Sequence, residues 1–147
     1  MSTVEIIAAK LGEIIQIGPI RIRVLEDGSH TDNRLGAVEI TVPPGVAGPP
    51  PHFHQMHDET FLVMSGVMRF TAGDKSHDAH AGDYVVVPVG APHTFANTST
   101  ETAVVFNSFT PAFYVDYLRE VAALAATGAP GPDAILAVMA RYATIPF

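Results

Sequence analysis

The chain has 147 residues, 48% of them apolar and only 16% charged, which suits one domain with one buried core and argues against disorder. A formal charge of −7, with only eight scattered Lys and Arg, excludes the basic patch that nucleic-acid binding needs. The absence of Cys excludes disulfides and zinc–thiolate sites.

Residues 1–18 form a short apolar lead-in without the basic start and long apolar stretch of a signal peptide. No segment reaches membrane-span length, so the expected location is the cytoplasm, with no membrane or nucleic-acid partner. Ile20, Ile22 and Val24 alternate with Arg21 and Arg23, the period of a half-buried strand with both arginines on its outer face. Glu26-Asp27-Gly28 marks a turn, and Leu35 to Val42 reads as the next strand. Pro43-Pro44-Gly45 stops it, and Pro49 to Pro51 stiffen the loop before His52-Phe53-His54. Thr60 to Met64, Val67 to Thr71, Tyr84 to Val87, Thr94 to Ala96 and Thr102 to Phe109 complete the strand series. Gly73 to about Ala81 reads as a polar hairpin connection. Short strands at this spacing, with Gly and Pro between them, predict an all-β sandwich or barrel.

The pattern changes at Thr110-Pro111, where Thr suits an N-cap and Pro a first helical turn. Tyr114, Leu118, Val121 and Ala125 follow helical spacing. Gly128 to Pro132 breaks the helix, and Ile135, Val138, Met139 and Tyr142 mark a second. The chain therefore reads as one domain over residues 1–147, a barrel at about 19–109 and a helical extension at about 110–147. The extension is expected to cover a barrel face or a subunit contact.

Seven histidines occur, at 30, 52, 54, 57, 77, 80 and 93. A lone histidine is more often an ordinary rim residue than a ligand, and HxH alone is a weak signal. His52 and His54 nevertheless share one face of a strand. Glu59 heads the next apolar run, and His93 follows the tight turn Pro88-Val89-Gly90-Ala91-Pro92. Three imidazoles and one carboxylate converging from three strands would make a mixed N/O site for iron, manganese, nickel, cobalt, copper or zinc. Asp58 is the competing carboxylate. His57 is either a rim residue or a base and substrate contact beside the site. His77 and His80 are expected to be solvated, and His30, after a Gly-Ser turn, to have no specific role.

The spacing around these residues resembles the two cupin motifs. Six residues separate Gly45 from His52, one more than the first motif has, and His54 is followed by four residues and Glu59. Six further residues lead to Gly66. Gly82, Pro88, Gly90, His93 and Asn97 match the second motif without adjustment. The resemblance covers residues 35–109 directly and, more loosely, the C-terminal helices, which are similar to those of small cupins compared with quercetinases. It implies a double-stranded β-helix (jelly-roll) barrel holding one divalent metal through His52, His54, Glu59 and His93. Glu59 and His57 are then the candidate catalytic groups. Parity along the strands places Phe61, Val63, Phe95, Phe106 and Ser108 toward a substrate pocket, with plain core packing as the competing reading. The implied activity is a metal-dependent dioxygenase acting on an enolisable hydroxy-ketone or a flavonol-like aromatic small molecule. An oxygen-independent isomerase, dehydratase or cyclase of a polyketide-like carbonyl compound, and a non-catalytic binding module, are the alternatives. Small cupins are commonly dimers, and open sheet edges need cover, so a homodimer is expected, with Leu11–Val24 pairing across subunits.

Overall fold

A computed structural model describes residues 2–147. Eleven strands and two helices follow in chain order: β1 (Ile14–Ile17), β2 (Ile20–Glu26), β3 (Gly36–Val42), β4 (His52–His54), β5 (Asp58–Ser65), β6 (Val67–Ala72), β7 (Lys75–His80), β8 (Tyr84–Val87), β9 (Thr94–Ala96), β10 (Ala103–Thr110), α1 (Tyr114–Ala126), α2 (Pro132–Arg141) and β11 (Thr144–Pro146). They form a six-stranded sheet in the order β1-β2-β3-β10-β5-β8, a three-stranded sheet β7-β6-β9, and a ribbon β11-β4. All pairings are antiparallel. This is a jelly-roll β-barrel with C-terminal helices.

Alternation decides which residues fill it. On β2, Ile22 and Val24 are buried while Arg21 points to solvent; on β3, Val38, Ile40 and Val42 are buried. With Phe61, Val63, Met68, Val105 and Phe109 they form one continuous core. Each of these aliphatic or aromatic side chains contributes about 1.5–3 kcal/mol by leaving water.

Several sequence expectations need correction. The connection expected over Gly73–Ala81 is a strand, β7, paired with β6 through Val67↔His80 to Ala72↔Lys75. Only Ala79 along it is buried, so it carries no apolar alternation to read. His77 and His80 are exposed on it. Within Leu11–Val24, β1 pairs with β2 through one side, and its other side is the edge of the six-stranded sheet, where the expected pairing across subunits would add. The first helix starts at Tyr114 rather than near Pro111, with Phe113 at its N-cap and no side-chain cap bond; Thr110 ends β10. The second helix starts on Pro132. The chain then returns to the barrel as β11, which was not foreseen.

The turn residues behave as the sequence suggests. Asn97 donates to the Val42 and Glu101 carbonyls at 2.9 and 2.7 Å, and its Oδ1 accepts from the Ser99 backbone at 3.0 Å. Gly90, at φ +83°, makes the turn that delivers His93. No helix among the described residues is long and apolar enough to cross a membrane.

Candidate metal centre

His52 and His54 alternate with Phe53 on β4, so both rings point inward; they are 4% and 2% exposed. His93 joins them through an isolated bridge in which His52 and His93 exchange both backbone bonds, at 3.1 and 2.8 Å. The turn before His93 is held twice. Gly90 N–H donates to the His54 carbonyl at 2.8 Å, and Val89 N–H donates to Asp58 Oδ1 at 3.0 Å. Asp58 is exposed and spent on that bond. Glu59, the next residue on β5, is the carboxylate that faces inward, 4% exposed.

The four groups meet. Glu59 Oε2 lies 3.2 Å from His54 Nε2 and 2.9 Å from His93 Nε2. Ring centroids of His52 are 4.8 Å from His54 and 4.5 Å from His93. The nitrogens facing away from the centre are all engaged. His52 Nδ1 is 2.8 Å from the Pro50 carbonyl, His93 Nδ1 is 3.0 Å from the Ala91 carbonyl, and His54 Nδ1 is 2.9 Å from Thr144 Oγ1. Such outward bonds orient ligating histidines and fix their tautomers. Asn107, on β10, donates to Glu59 Oε1 at 3.1 Å and to the Thr60 carbonyl at 2.9 Å. A buried set of three oriented imidazoles and one braced carboxylate fits a divalent transition metal; His52, His54 and His93 stand close enough to share one ion.

Burial pushes the His52 pKa down to about 4, so the ring is neutral, as a ligand must be. Burial pushes Glu59 up, but its bonds to His54 and His93 more than offset this and hold it well below the usual range. His93 is lowered by burial and raised further by Glu59, with a net upward shift.

A cavity of about 310 Å³ opens onto His52, Glu59 and His93. Its walls are apolar: Ile22, Ile40 and Phe61 from the barrel, Phe95 from β9, Ile17 and Ile20 from the β1–β2 hairpin, and Leu118, Val121 and Ile135 from the helices. The extension thus roofs the cavity. Gly48 packs on Phe95 so closely that a Cβ there would lie 2.6 Å from the ring, which holds one wall in place.

Of the five expected pocket residues, Phe61 and Phe95 line this cavity. Val63 is buried but lies in the core beyond it. Phe106 and Ser108 lie on the opposite face of β10, because Val105, Asn107 and Phe109 take the inward positions; Ser108 bonds Thr60 there. His57 is not on the cavity either. It stacks on His54 with centroids 4.1 Å apart and lines a separate cleft with Met56, Phe113 and Arg141. Its Nε2 is buried with no partner among the described residues. Sequence reasoning missed Asn107, Tyr114, Tyr117 and Thr144. The tyrosines had a signal, since they sit on the first turn of a helix expected to cover the barrel. Both line the cavity, and burial raises both hydroxyl pKa values.

Residues 38–109 match the family model described as a cupin domain. A protein of Aquifex aeolicus (strain VF5) is 35% identical over 63 residues, 43% of this chain; the chain spans about half the length of that curated relative, 51%. Among solved structures, a predicted oxalate decarboxylase from Thermotoga maritima superposes with a TM-score of 0.68 at 16% identity, over 73% of this chain and 99% of that one. KdgF from Halomonas sp. superposes with a TM-score of 0.65 at 20% identity, over 74% and 94%. At such identities the likeness is one of fold. The segment over residues 38–109 is thus similar to a cupin domain, and the barrel around it shares its fold with these solved proteins.

Proposed function

We propose that this chain is a metal-dependent dioxygenase acting on a small enolisable hydroxy-ketone or flavonol-like aromatic. The observation that supports it is the cluster of His52, His54 and His93, with Glu59 against His54 and His93; His52, Glu59 and His93 face an apolar cavity of about 310 Å³. That size is near the lower bound for small-molecule sites. A divalent transition metal held by His52, His54, Glu59 and His93 would supply Lewis acidity and a template for substrate and dioxygen.

The chain's own groups set the rest. Apolar walls, including Phe61 and Phe95, take a flat, mostly apolar body and exclude water. Glu59 is braced by Asn107 and faces the cavity, placed to take the proton of a substrate hydroxyl that the metal would acidify. Tyr114 and Tyr117 remain protonated and can donate to an oxygen that gains charge. The same pairing of an ionised carboxylate with protonated phenols in one cavity favours a second reading. It is the equipment for an oxygen-independent isomerase, dehydratase or cyclase.

The test begins with elemental mass spectrometry on protein purified without chelators, beside His54→Ala. The expected result is about one metal per chain in the parent and little in the variant. The metal-loaded parent should then consume oxygen with a flavonol or a 1,3-diketone. Turnover unchanged under anaerobiosis would select the isomerase class, and a loaded protein with no turnover would leave a binding role.

A further inference from the structure

Two of the three histidines are pinned locally. His52 and His93 each bond the carbonyl two residues before them, Pro50 and Ala91. A carbonyl only accepts, so in both rings Nδ1 carries the proton and Nε2 is directed to the centre. His54 differs. Its Nδ1 meets a hydroxyl supplied from 90 residues away, Thr144 Oγ1 at 2.9 Å. The two residues are directly opposite in the β4–β11 ladder, Thr144↔His54, so their side chains share a face. That register is held on both sides: Gln55 N–H donates to the Ala143 carbonyl and Phe147 N–H to the Pro51 carbonyl, each at 2.9 Å. Thr144 is 1% exposed and His54 2%, so water does not substitute for either group.

We infer that Thr144 is a positioning residue for the metal ligand His54, and that the C-terminal strand β11 is therefore a working part of the metal centre rather than a cover. A hydroxyl has one proton to give. The Tyr142 carbonyl, 3.4 Å away, and the Tyr114 hydroxyl are both in reach of that proton. With a metal on Nε2, the Thr144 lone pairs would accept Nδ1–H of His54; without one, Nε2–H donates to Glu59 Oε2 at 3.2 Å. Valine, of similar shape but without the hydroxyl, would leave Nδ1–H buried and unpaired and the ring free to change tautomer. Serine would keep the bond.

This inference rests on the metal-binding reading above, and its test separates the two. Chelator competition with zinc and cobalt is run on the full chain as parent, Thr144→Val and Thr144→Ser. Nitrogen-15 NMR of the histidine rings is recorded on the same samples. The expected outcome is a 10–100-fold loss of affinity in T144V, parent-like affinity in T144S, and a His54 tautomer shifted only in T144V. Parent affinity in a folded T144V overturns the inference, as does an equal loss in T144S, which would mean a purely steric role. A parent that binds no metal overturns the metal reading and this inference together.

Discussion

His57 lies among rings, stacked on His54 and edge-on to Phe109. Burial, helped by His54, pushes its pKa down to about 4, and burial does the same to His52. In the unfolded chain both titrate near ~6.5. Between pH 6.5 and 4 the unfolded state therefore binds more protons, and stability falls as pH drops through that window. His93 opposes this: its folded pKa is raised, so its contribution is present below the unfolded value and fades as pH rises through the folded one. Glu59 is held low, so its contribution survives until the pH falls well into the acid range. Replacing His57 by Phe removes one acid-sensitive term while keeping a flat ring. Urea unfolding of chelator-treated protein at pH 7 and pH 5 should show H57F losing about 2 kcal/mol less than the parent over that interval. Equal losses would mean that His57 is already protonated, or already paired, in the folded state.

At the scale of elements, the β5–β6 turn depends on one glycine. Gly66 has φ +72°, and a Cβ there would lie 2.5 Å from the Thr102 carbonyl oxygen and 2.8 Å from Ala103 Cα. Both neighbours are backbone and cannot step aside. Gly66→Ala should cost about 3 kcal/mol or more, the sum of a left-handed conformation and a clash. Gly82 has φ +95° with nothing near its missing Cβ. Gly82→Ala should cost only about 1–2 kcal/mol. Urea midpoints for the two variants check the difference, and equal costs would remove the steric part. These turns are also what made the barrel legible. Gly and Pro spaced the strands, alternation on β2 and β3 gave their inner faces, and the ligand spacing foretold which side chains meet. Strand β10 resisted for a chemical reason. Its inward set includes a polar residue, Asn107, which is needed to brace Glu59, while Phe106 lies outside. The expectation that Phe106 and Ser108 reach the pocket therefore fails, because Val105, Asn107 and Phe109 take the inward positions. Strand β11 resisted because three residues of Thr-Ile-Pro carry no period, and its partner β4 is 90 positions away.

At the scale of the whole molecule, the outer face of the six-stranded sheet is unusually apolar over β5 and β8. Leu62, Met64, Tyr84 and Val86 are 37%, 51%, 59% and 61% exposed. Leu62 lies directly opposite Tyr84, and Thr60 opposite Val86. From Thr60 to Met64 and from Tyr84 to Val86, no outward position is charged. The chain carries a formal charge of −7, so two copies repel over most of their surfaces. The uncharged face is where they can approach without that cost, and contiguous exposed apolar patches mark contact sites. We therefore expect a homodimer formed through this face, with the β1–β2 hairpin left outside the contact. Light scattering after size exclusion should give twice the 15.6 kDa chain mass for the parent. It should give the single mass for Leu62→Lys with Val86→Lys, because two lysines on each copy place four like charges in one contact. A parent at 15.6 kDa would sink the dimer. A dimer that survives both lysines would move the contact to the hairpin edge at β1.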